Sequence, residues 1–182
     1  MNIAVDSTGF GTKSYHRWFN IRNTKNKVKK AFLKLHAAVD TVKKAVVSAT
    51  VTGGHAHDSP QLRKLLKPIK DIGDASADSG YLSRKNCELI AKKHGTPYIM
   101  PKKNTTARAA RSKVWRDMIL AFKHYPVEWL KHYHKRSISE SVFSAIKRKL
   151  GSYLTSIKFS LQKKELLIKV IVYDLILLVN EL

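Results

Sequence analysis

The segment from Tyr133 to Lys147 contains four polar residues whose types and spacing suit chemistry on a phosphodiester. They supply a phenol, a guanidinium, a carboxylate and an ammonium group: Tyr133, Arg136, Glu140 and Lys147. On an α-helix, which turns by about 100° per residue, these side chains fall within a sector of roughly 80°. The spacing therefore predicts one polar stripe on a helix, which could hold a metal ion beside a phosphate.

Apolar residues on the other side of this predicted helix give it a face that can be buried. They recur at helical spacing: Ile138, Val142, Ala145 and Ile146. The stripe also has a simpler interpretation, because Arg136 and Glu140 form an ordinary ion pair of the kind found four residues apart on solvated helices. The choice between a site and a solvated surface depends on the rest of the chain.

Basic residues greatly outnumber acidic ones. The chain has 35 Lys and Arg against 13 Asp and Glu, which leaves a formal net charge of +22. Nucleic acid is the first candidate partner for such a charge. The basic residues are spread along the chain, with dense groups within 13–30 and 102–116, and therefore favour a long double-stranded DNA track over a short tail. A generally basic, ribosome-like or membrane-surface protein is the alternative that charge alone leaves open.

Length and composition predict one domain over residues 1–182. With 182 residues and 43% hydrophobic content, the chain is long enough to bury a core. Its one cysteine, Cys87, excludes an internal disulfide framework and fits a reducing cytoplasm. The long apolar segment 166–179 is interrupted by Lys169 and Asp174, so we expect a buried C-terminal helix and no membrane partner.

The first part of the chain has the patterns of strands. NIAVD ends at Asp6, STGFGTKS resembles a turn, and the runs YHRWFNIR, AFLKLHAAVD and AVVSATVTG continue an antiparallel meander, with Lys43 and Lys44 near a turn. After Gly53, Asp58 or Ser59 can cap a helix that begins with Pro60. Four residues form the apolar face of that helix: Leu62, Leu65, Leu66 and Ile69.

The next elements alternate between strand and helix. Ala75 and Ala77 predict a short buried strand ending at Asp78, Ser83 caps a helix that stops at Gly95, and TPYIMP is a further strand. Later segments are helical, including VWRDMILAF. The order predicts an α/β fold with a mixed sheet of about five strands, flanked by helices and followed by extra C-terminal helices.

Three acids could meet at one edge of this sheet: Asp6 and Asp78 at strand ends, and Glu140 on a late helix. The chemistry that suits them is two-metal phosphoryl transfer, because Mg²⁺ (or Mn²⁺) prefers hard oxygen ligands. Other acids compete for these roles. Asp74 lies four residues before Asp78, Asp40 also ends an apolar strand, Asp58 is better explained as a helix cap, and Asp6 itself could be a simple turn residue.

The sequence resembles the DDE transposases of bacterial and archaeal insertion sequences. In one branch of that family a Tyr is followed after two residues by Arg, after three by Glu and after six by Lys, which Tyr133, Arg136, Glu140 and Lys147 match. DSTGF around Asp6 and ADSGY around Asp78 resemble the segments around the two aspartates, although Lys commonly stands at the place of Ser79. GGHAHDS and KKELLIKVIVYDLILL resemble further family segments, so the resemblance covers essentially the whole chain.

The resemblance implies an RNase H-like catalytic domain. In it, Asp6, Asp78 and Glu140 would bind two divalent ions, Mg²⁺ or Mn²⁺, for DNA strand cleavage and transfer. Tyr133, Arg136 and Lys147 would contact double-stranded DNA near the cleaved end. Relatives usually act as homodimers on DNA, and the resemblance implies a place in the prokaryotic cytoplasm, at the nucleoid. They also carry a DNA-binding region before the first aspartate, and because five residues precede Asp6, we expect this chain to lack that region.

Three hypotheses follow. The first is a metal-dependent transposase catalytic domain, for which the three carboxylates must lie close together. The second is a truncated remnant that binds DNA with strong salt dependence but does not cut it. The third is an RNase H-like nuclease that cuts without joining ends.

Overall fold

The centre of the fold is a mixed six-stranded sheet. The structure is a computed structural model that describes residues 1–12, 32–108 and 111–181. The strands in chain order are β1 (Ile3–Thr12), β2 (Phe32–Asp40), β3 (Val46–Gly53), β4 (Asp74–Ala77), β5 (Thr96–Ile99) and β6 (Tyr153–Leu154). The order across the sheet is β3-β2-β1-β4-β5, with β6 paired to β1. β1, β2 and β3 are antiparallel, whereas β4 is parallel to β1 and β5.

Helices connect and cover the strands. The α-helices of the described residues are α1 (Leu62–Leu66), α2 (Arg84–Ala91), α3 (Lys113–His124), α4 (Pro126–Tyr133), α5 (Ser137–Leu150) and α6 (Phe159–Glu181). Short 3₁₀ turns precede three of them, at Ser59–Gln61, Ser79–Tyr81 and His134–Arg136. The predicted α/β class is therefore confirmed, and the sheet topology is consistent with the RNase H-like fold.

Two hydrophobic cores lie on opposite faces of the sheet. On one face, which we call the α1 face, Ile3 and Val5 of β1 pack in a cluster that includes residues of α1, α2 and α3. On the other, the α5 face, Phe10 of β1 packs with residues of α5 and α6. Because side chains alternate along a strand, odd-numbered β1 residues belong to the α1 face. Even-numbered ones, including Asp6 and Thr8, belong to the α5 face.

Strand β1 is longer than the sequence predicted. The expected turn after Asp6 is wrong, since Ser7 to Gly11 continue to pair with β2, where Ser7 lies opposite His36. The absence of a side chain at Gly11 lets the Tyr153 ring pack against the β1 backbone, because a Cβ there would lie 2.8 Å from that ring. Asp6 is therefore within a strand and not at its end. The predicted strand YHRWFNIR lies outside the described residues.

The predicted start of α2 is confirmed, and two other predicted helix ends are corrected. Ser83 accepts a hydrogen bond from the Asn86 N–H and caps α2, and Gly151, with φ of 82°, ends α5. α2 ends at Ala91, before the predicted stop at Gly95. The predicted cap at Asp58 is wrong, because its side chain makes no cap hydrogen bond.

The C-terminal helix α6 is buried on one side only. Leu166, Val170 and Tyr173 pack in the core of the α5 face, as expected of a buried C-terminal helix. Other apolar residues of α6, such as Ile168 and Leu175, are more than half exposed. Within the described residues, no helix is both long and apolar enough to cross a bilayer.

Candidate active site

The predicted polar stripe is built from three consecutive segments and not from one helix. Tyr133 is the last residue of α4, Arg136 ends the 3₁₀ turn, and Glu140 lies in the first turn of α5. Tyr133 stacks on Trp129 with ring centroids 5.5 Å apart, and the Arg136 guanidinium lies 5.9 Å from the Tyr133 ring centre. The 3₁₀ turn changes the helical path between Tyr133 and Glu140, and Arg136 stays next to the Tyr133 ring.

Arg136 joins two of the predicted acids. Its Nη2 donates to Glu140 Oε1 at 2.7 Å, which is the four-residue ion pair expected of an ordinary solvated helix. Its Nη1 donates to Asp6 Oδ2 at 2.8 Å, although the two residues are 130 positions apart. The Asp6 side chain is only 15% exposed, compared with 55% for Glu140. The contact with Asp6 distinguishes this stripe from an ordinary helix surface.

Asp78 lies one residue beyond the last pair between β1 and β4. The register pairs Val5 with Ala77, so Asp6 and Asp78 are the next residues on the two parallel strands. Both Val5 and Ala77 pack in the core of the α1 face. Strand alternation therefore places both aspartates on the α5 face, the side of Arg136. The Asp78 carboxylate also accepts the Ser79 N–H and caps the following 3₁₀ turn.

The electrostatics of Asp6 indicate that the three acids affect one another. Burial is the main reason that the Asp6 pKa is raised above its usual value, and the negative charges of Asp78 and Glu140 raise it further. The hydrogen bond from the Ser7 N–H and the positive charge of Arg136 act in the opposite direction. A partly buried carboxylate with two acidic neighbours has a strong preference for a positive partner.

Arg136 is that positive partner in this structure. Among the described residues, no three acidic, histidine or cysteine side chains are arranged to hold a metal ion. The carboxylates of Asp6, Asp78 and Glu140 are nevertheless the hard oxygen donors that Mg²⁺ takes. The donor chemistry fits a divalent ion, while the side-chain arrangement is that of a site neutralised by a guanidinium.

Lys147 extends the positive side of the site along β1. Its Nζ donates to Thr8 Oγ1 at 2.7 Å and lies 5.3 Å from the centre of the Phe10 ring. Thr8 is two residues after Asp6 and on the same face. Partial burial lowers the Lys147 pKa. The structure thus brings Arg136, Lys147, Asp6 and Glu140 together on one face of the sheet.

The competing acids Asp74 and Asp40 have local partners elsewhere. Asp74 begins β4, at the opposite end from Asp78, and its Oδ2 lies 2.7 Å from His132 Nδ1 and 3.2 Å from Lys135 Nζ. Asp40 accepts the N–H groups of Val42 and Lys43 in the turn between β2 and β3. Neither contact involves a residue of the polar stripe.

Asp58 is the residue whose role the sequence interpretation missed. Its Oδ1 accepts hydrogen bonds from Lys34 Nζ at 3.0 Å and from Ser7 Oγ at 3.1 Å. The segment GGHAHDS was a signal for this role, since it places an acid between a strand and a helix. The helix-cap interpretation hid that signal.

Comparison with known proteins assigns the chain to a family. The family model described as a transposase DDE domain matches residues 2–175. The chain belongs to this DDE transposase family. A probable transposase for the insertion sequence element ISA1214 from Archaeoglobus fulgidus is 36% identical over 92 residues, which is 48% of this chain and 27% of that protein. The match thus spans about a quarter of the relative's length, and no solved structure matches the chain.

The family assignment confirms the resemblance found in the sequence. It shows that the chain is a member of the transposase DDE domain family over nearly its whole length. The metal ions, the individual DNA contacts, the homodimer and the extent of the domain stay predictions.

Proposed function

We propose that this chain is a DDE transposase catalytic domain that cleaves DNA strands and transfers them by divalent-metal-dependent phosphoryl transfer. The observation that carries the proposal is the Arg136 bridge between Asp6 in the sheet and Glu140 on α5. Asp78 supports it, because it follows the strand paired in parallel with β1. The proposal is thus supported by three carboxylates carried by β1, the end of β4 and α5.

Asp6, Asp78 and Glu140 would hold two Mg²⁺ or Mn²⁺ ions. When bound, such ions lower the pKa of an attacking water or 3′ hydroxyl and stabilise the leaving oxygen. The sheet fixes the two aspartates relative to each other through backbone hydrogen bonds between β1 and β4. Glu140 projects from α5 and is linked to Asp6 through Arg136, so its position depends on how that helix packs.

The basic residues beside these acids would bind the DNA backbone. Arg136 and Lys147 present a guanidinium and an ammonium group on the face of Asp6, with Tyr133 next to Arg136. Charged donors of this kind bind phosphate oxygens and orient the strand. The net charge of +22 suits a double-stranded DNA substrate. A homodimer on paired DNA ends, in the cytoplasm at the nucleoid, is part of the same proposal.

The test uses a supercoiled plasmid that carries the genomic flanks of this reading frame. Nicking and strand transfer are measured with Mg²⁺ or Mn²⁺, and DNA affinity is measured by fluorescence anisotropy. Asp78→Asn and Glu140→Gln should each abolish cleavage. They should leave DNA affinity equal or slightly higher, because each removes a negative charge from a phosphate-facing surface. Asp40→Asn is the control, since it makes the same change in a turn away from the stripe.

The outcomes separate the three hypotheses. Cleavage that is unchanged in either variant would exclude the proposed site. Salt-dependent binding without cleavage by the unmodified chain would identify a DNA-binding remnant. Cutting of branched or hybrid substrates without joining would identify a nuclease.

A further inference from the structure

We propose that Asp58 is a positioning residue for the aspartates of the proposed site and acts from the opposite face of the sheet. The inference rests on the proposed function, since it concerns how Asp6 and Asp78 are held ready for a divalent ion. Asp58 is not itself one of the proposed ligands. It binds Ser7, whose side chain lies on the α1 face, whereas Asp6 lies on the α5 face.

The first link runs from Asp58 to Asp6 through Ser7. The Ser7 hydroxyl donates to Asp58 Oδ1 at 3.1 Å, and the Ser7 backbone N–H donates to Asp6 Oδ1 at 2.8 Å. Ser7 is therefore held by its side chain on one face while its backbone orients the carboxylate on the other. A change in the Ser7 hydroxyl contact alters the peptide group that holds Asp6.

The second link runs from Asp58 towards Asp78. The 3₁₀ turn Ser79–Tyr81 follows Asp78 directly, and a Cβ at Gly80 would lie 3.2 Å from Asp58 Oδ2. The Tyr81 hydroxyl lies 3.3 Å from His36 Nδ1, which in turn lies 3.4 Å from Asp58 Oδ1. Asp58 thus contacts the segments that follow both aspartates.

The side chains of this network are fully or largely buried. The His36 side chain is fully buried, and its pKa is lowered to about 4, chiefly by burial. His36 is therefore neutral at pH 7, so its contact with Asp58 is not an ion pair. Lys34 is the counter-charge of Asp58, and the two side chains are 20% and 25% exposed.

The negative charges of the proposed site also act on Tyr81, which belongs to this network. Burial is the largest cause of the raised pKa of Tyr81, and the negative charges of Asp58, Asp6 and Asp78 raise it further. The Tyr81 hydroxyl therefore lies within the field of all three aspartates. Partners that orient metal ligands in this way typically change metal affinity by about 10–100-fold when they are lost.

The experiment measures Mn²⁺ affinity of the full chain without DNA, from the free-Mn²⁺ signal in electron paramagnetic resonance. Ser7→Ala removes the hydroxyl but keeps the Asp58–Lys34 pair and the backbone N–H to Asp6. Ser7→Thr keeps a hydroxyl at the same position. We expect Mn²⁺ affinity to fall about 10-fold in Ser7→Ala and to be retained in Ser7→Thr. In Asp58→Asn the Mn²⁺ affinity should fall at least as far as in Ser7→Ala. Asp40→Asn is the control for loss of a negative charge.

Thermal unfolding of each variant is measured alongside. A loss of Mn²⁺ affinity in Ser7→Ala, with a melting temperature equal to that of Ser7→Thr, supports positioning. Equal Mn²⁺ affinity in Ser7→Ala and the unmodified chain overturns it, and so does an equal loss in Ser7→Ala and Ser7→Thr. If the unmodified chain itself binds no Mn²⁺, the metal part of the proposed function fails and positioning of a metal site fails with it. If it binds Mn²⁺ and Ser7→Ala binds equally, only the positioning role is overturned.

Discussion

The Arg136 guanidinium lies 2.8 Å from Asp6 Oδ2 and so connects the start of α5 to the interior of β1. The same guanidinium binds Glu140 at 2.7 Å. One positive group thereby balances two carboxylates that would otherwise repel each other. A divalent ion at the same carboxylates would have to compete with Arg136.

This competition gives the first prediction. Arg136→Gln should bind Mn²⁺ several-fold more tightly than the unmodified chain in the absence of DNA, because the competing cation is gone. It should also bind DNA more weakly, since a phosphate-binding group is lost. Lys67→Gln is the matched control, as Lys67 is exposed at the end of α1 on the other side of the sheet. Equal changes in both variants would mean that only overall charge matters and would contradict a specific role for Arg136.

The second prediction concerns Lys147 and DNA. In Lys147→Gln, the plot of the logarithm of DNA affinity against the logarithm of salt concentration should become less steep. The magnitude of its negative slope should fall by about 1, because one phosphate contact is lost. Fluorescence anisotropy titrations of a labelled duplex at several NaCl concentrations measure this slope. Lys67→Gln should leave the slope nearly unchanged. An unaltered slope in Lys147→Gln would show that Lys147 does not contact phosphate.

The third prediction is a pH dependence of stability that originates at His36. Its folded-state pKa is lowered from 6.5 to about 4 by burial, with Lys34 and Lys64 also lowering it and Asp58 opposing. Because the pKa of His36 is lower in the folded state, the contribution of neutral His36 to the free energy of unfolding is complete above pH 6.5. That contribution is lost as the pH falls towards 4. Between pH 7 and pH 4.5 the unmodified chain should lose about 2 kcal/mol more than His36→Gln.

Urea unfolding of both proteins at several pH values gives this difference directly. The contribution of carboxylates that titrate in the same pH range cancels in this difference, because both proteins contain the same carboxylates. Parallel pH profiles would show that His36 is not buried in its neutral form.

The fourth prediction tests the packing at Gly95. A Cβ at this position would lie 2.9 Å from Ile90 Cγ2 and 3.0 Å from Ile72 Cβ. Gly95→Ala should therefore lower the free energy of unfolding by about 1–3 kcal/mol, the usual cost of overpacking. Gly53→Ala is the control, because a Cβ there meets no atom within 4 Å. Equal stability of the two variants in urea would contradict the tight contact at Gly95.

Local patterns were enough to predict much of the fold. The alternation of Ala75 and Ala77 identified β4, and the capping residue Ser83 identified the start of α2. Both predictions succeeded because each signal is carried by a few neighbouring residues. The glycines after Asp6 were misleading. They resemble a turn, yet Gly9 and Gly11 stay in a paired strand whose neighbours supply aromatic rings close to them.

The contacts that define the site could not be derived from local patterns. The Arg136–Asp6 pair joins residues 130 positions apart, and the Ser7–Asp58 bond joins residues 51 positions apart. Composition favoured a polyanion as partner, and the spacing of the polar stripe selected Arg136 and Glu140. Only the fold shows that Arg136 also reaches Asp6 and that Asp58 binds Ser7.

Asp6 is within a strand that is hydrogen-bonded on both sides, to β2 and to β4. Its backbone cannot shift relative to β4 without breaking the sheet, so the spacing between the two strand-borne acids is fixed. Glu140, in contrast, is carried by a helix held by side-chain packing, in which Val142 and Ile146 are buried. The geometry of the acids is thus adjustable from one side only, because changes of side-chain volume beneath α5 would move Glu140 relative to the two aspartates while all three acids stay the same.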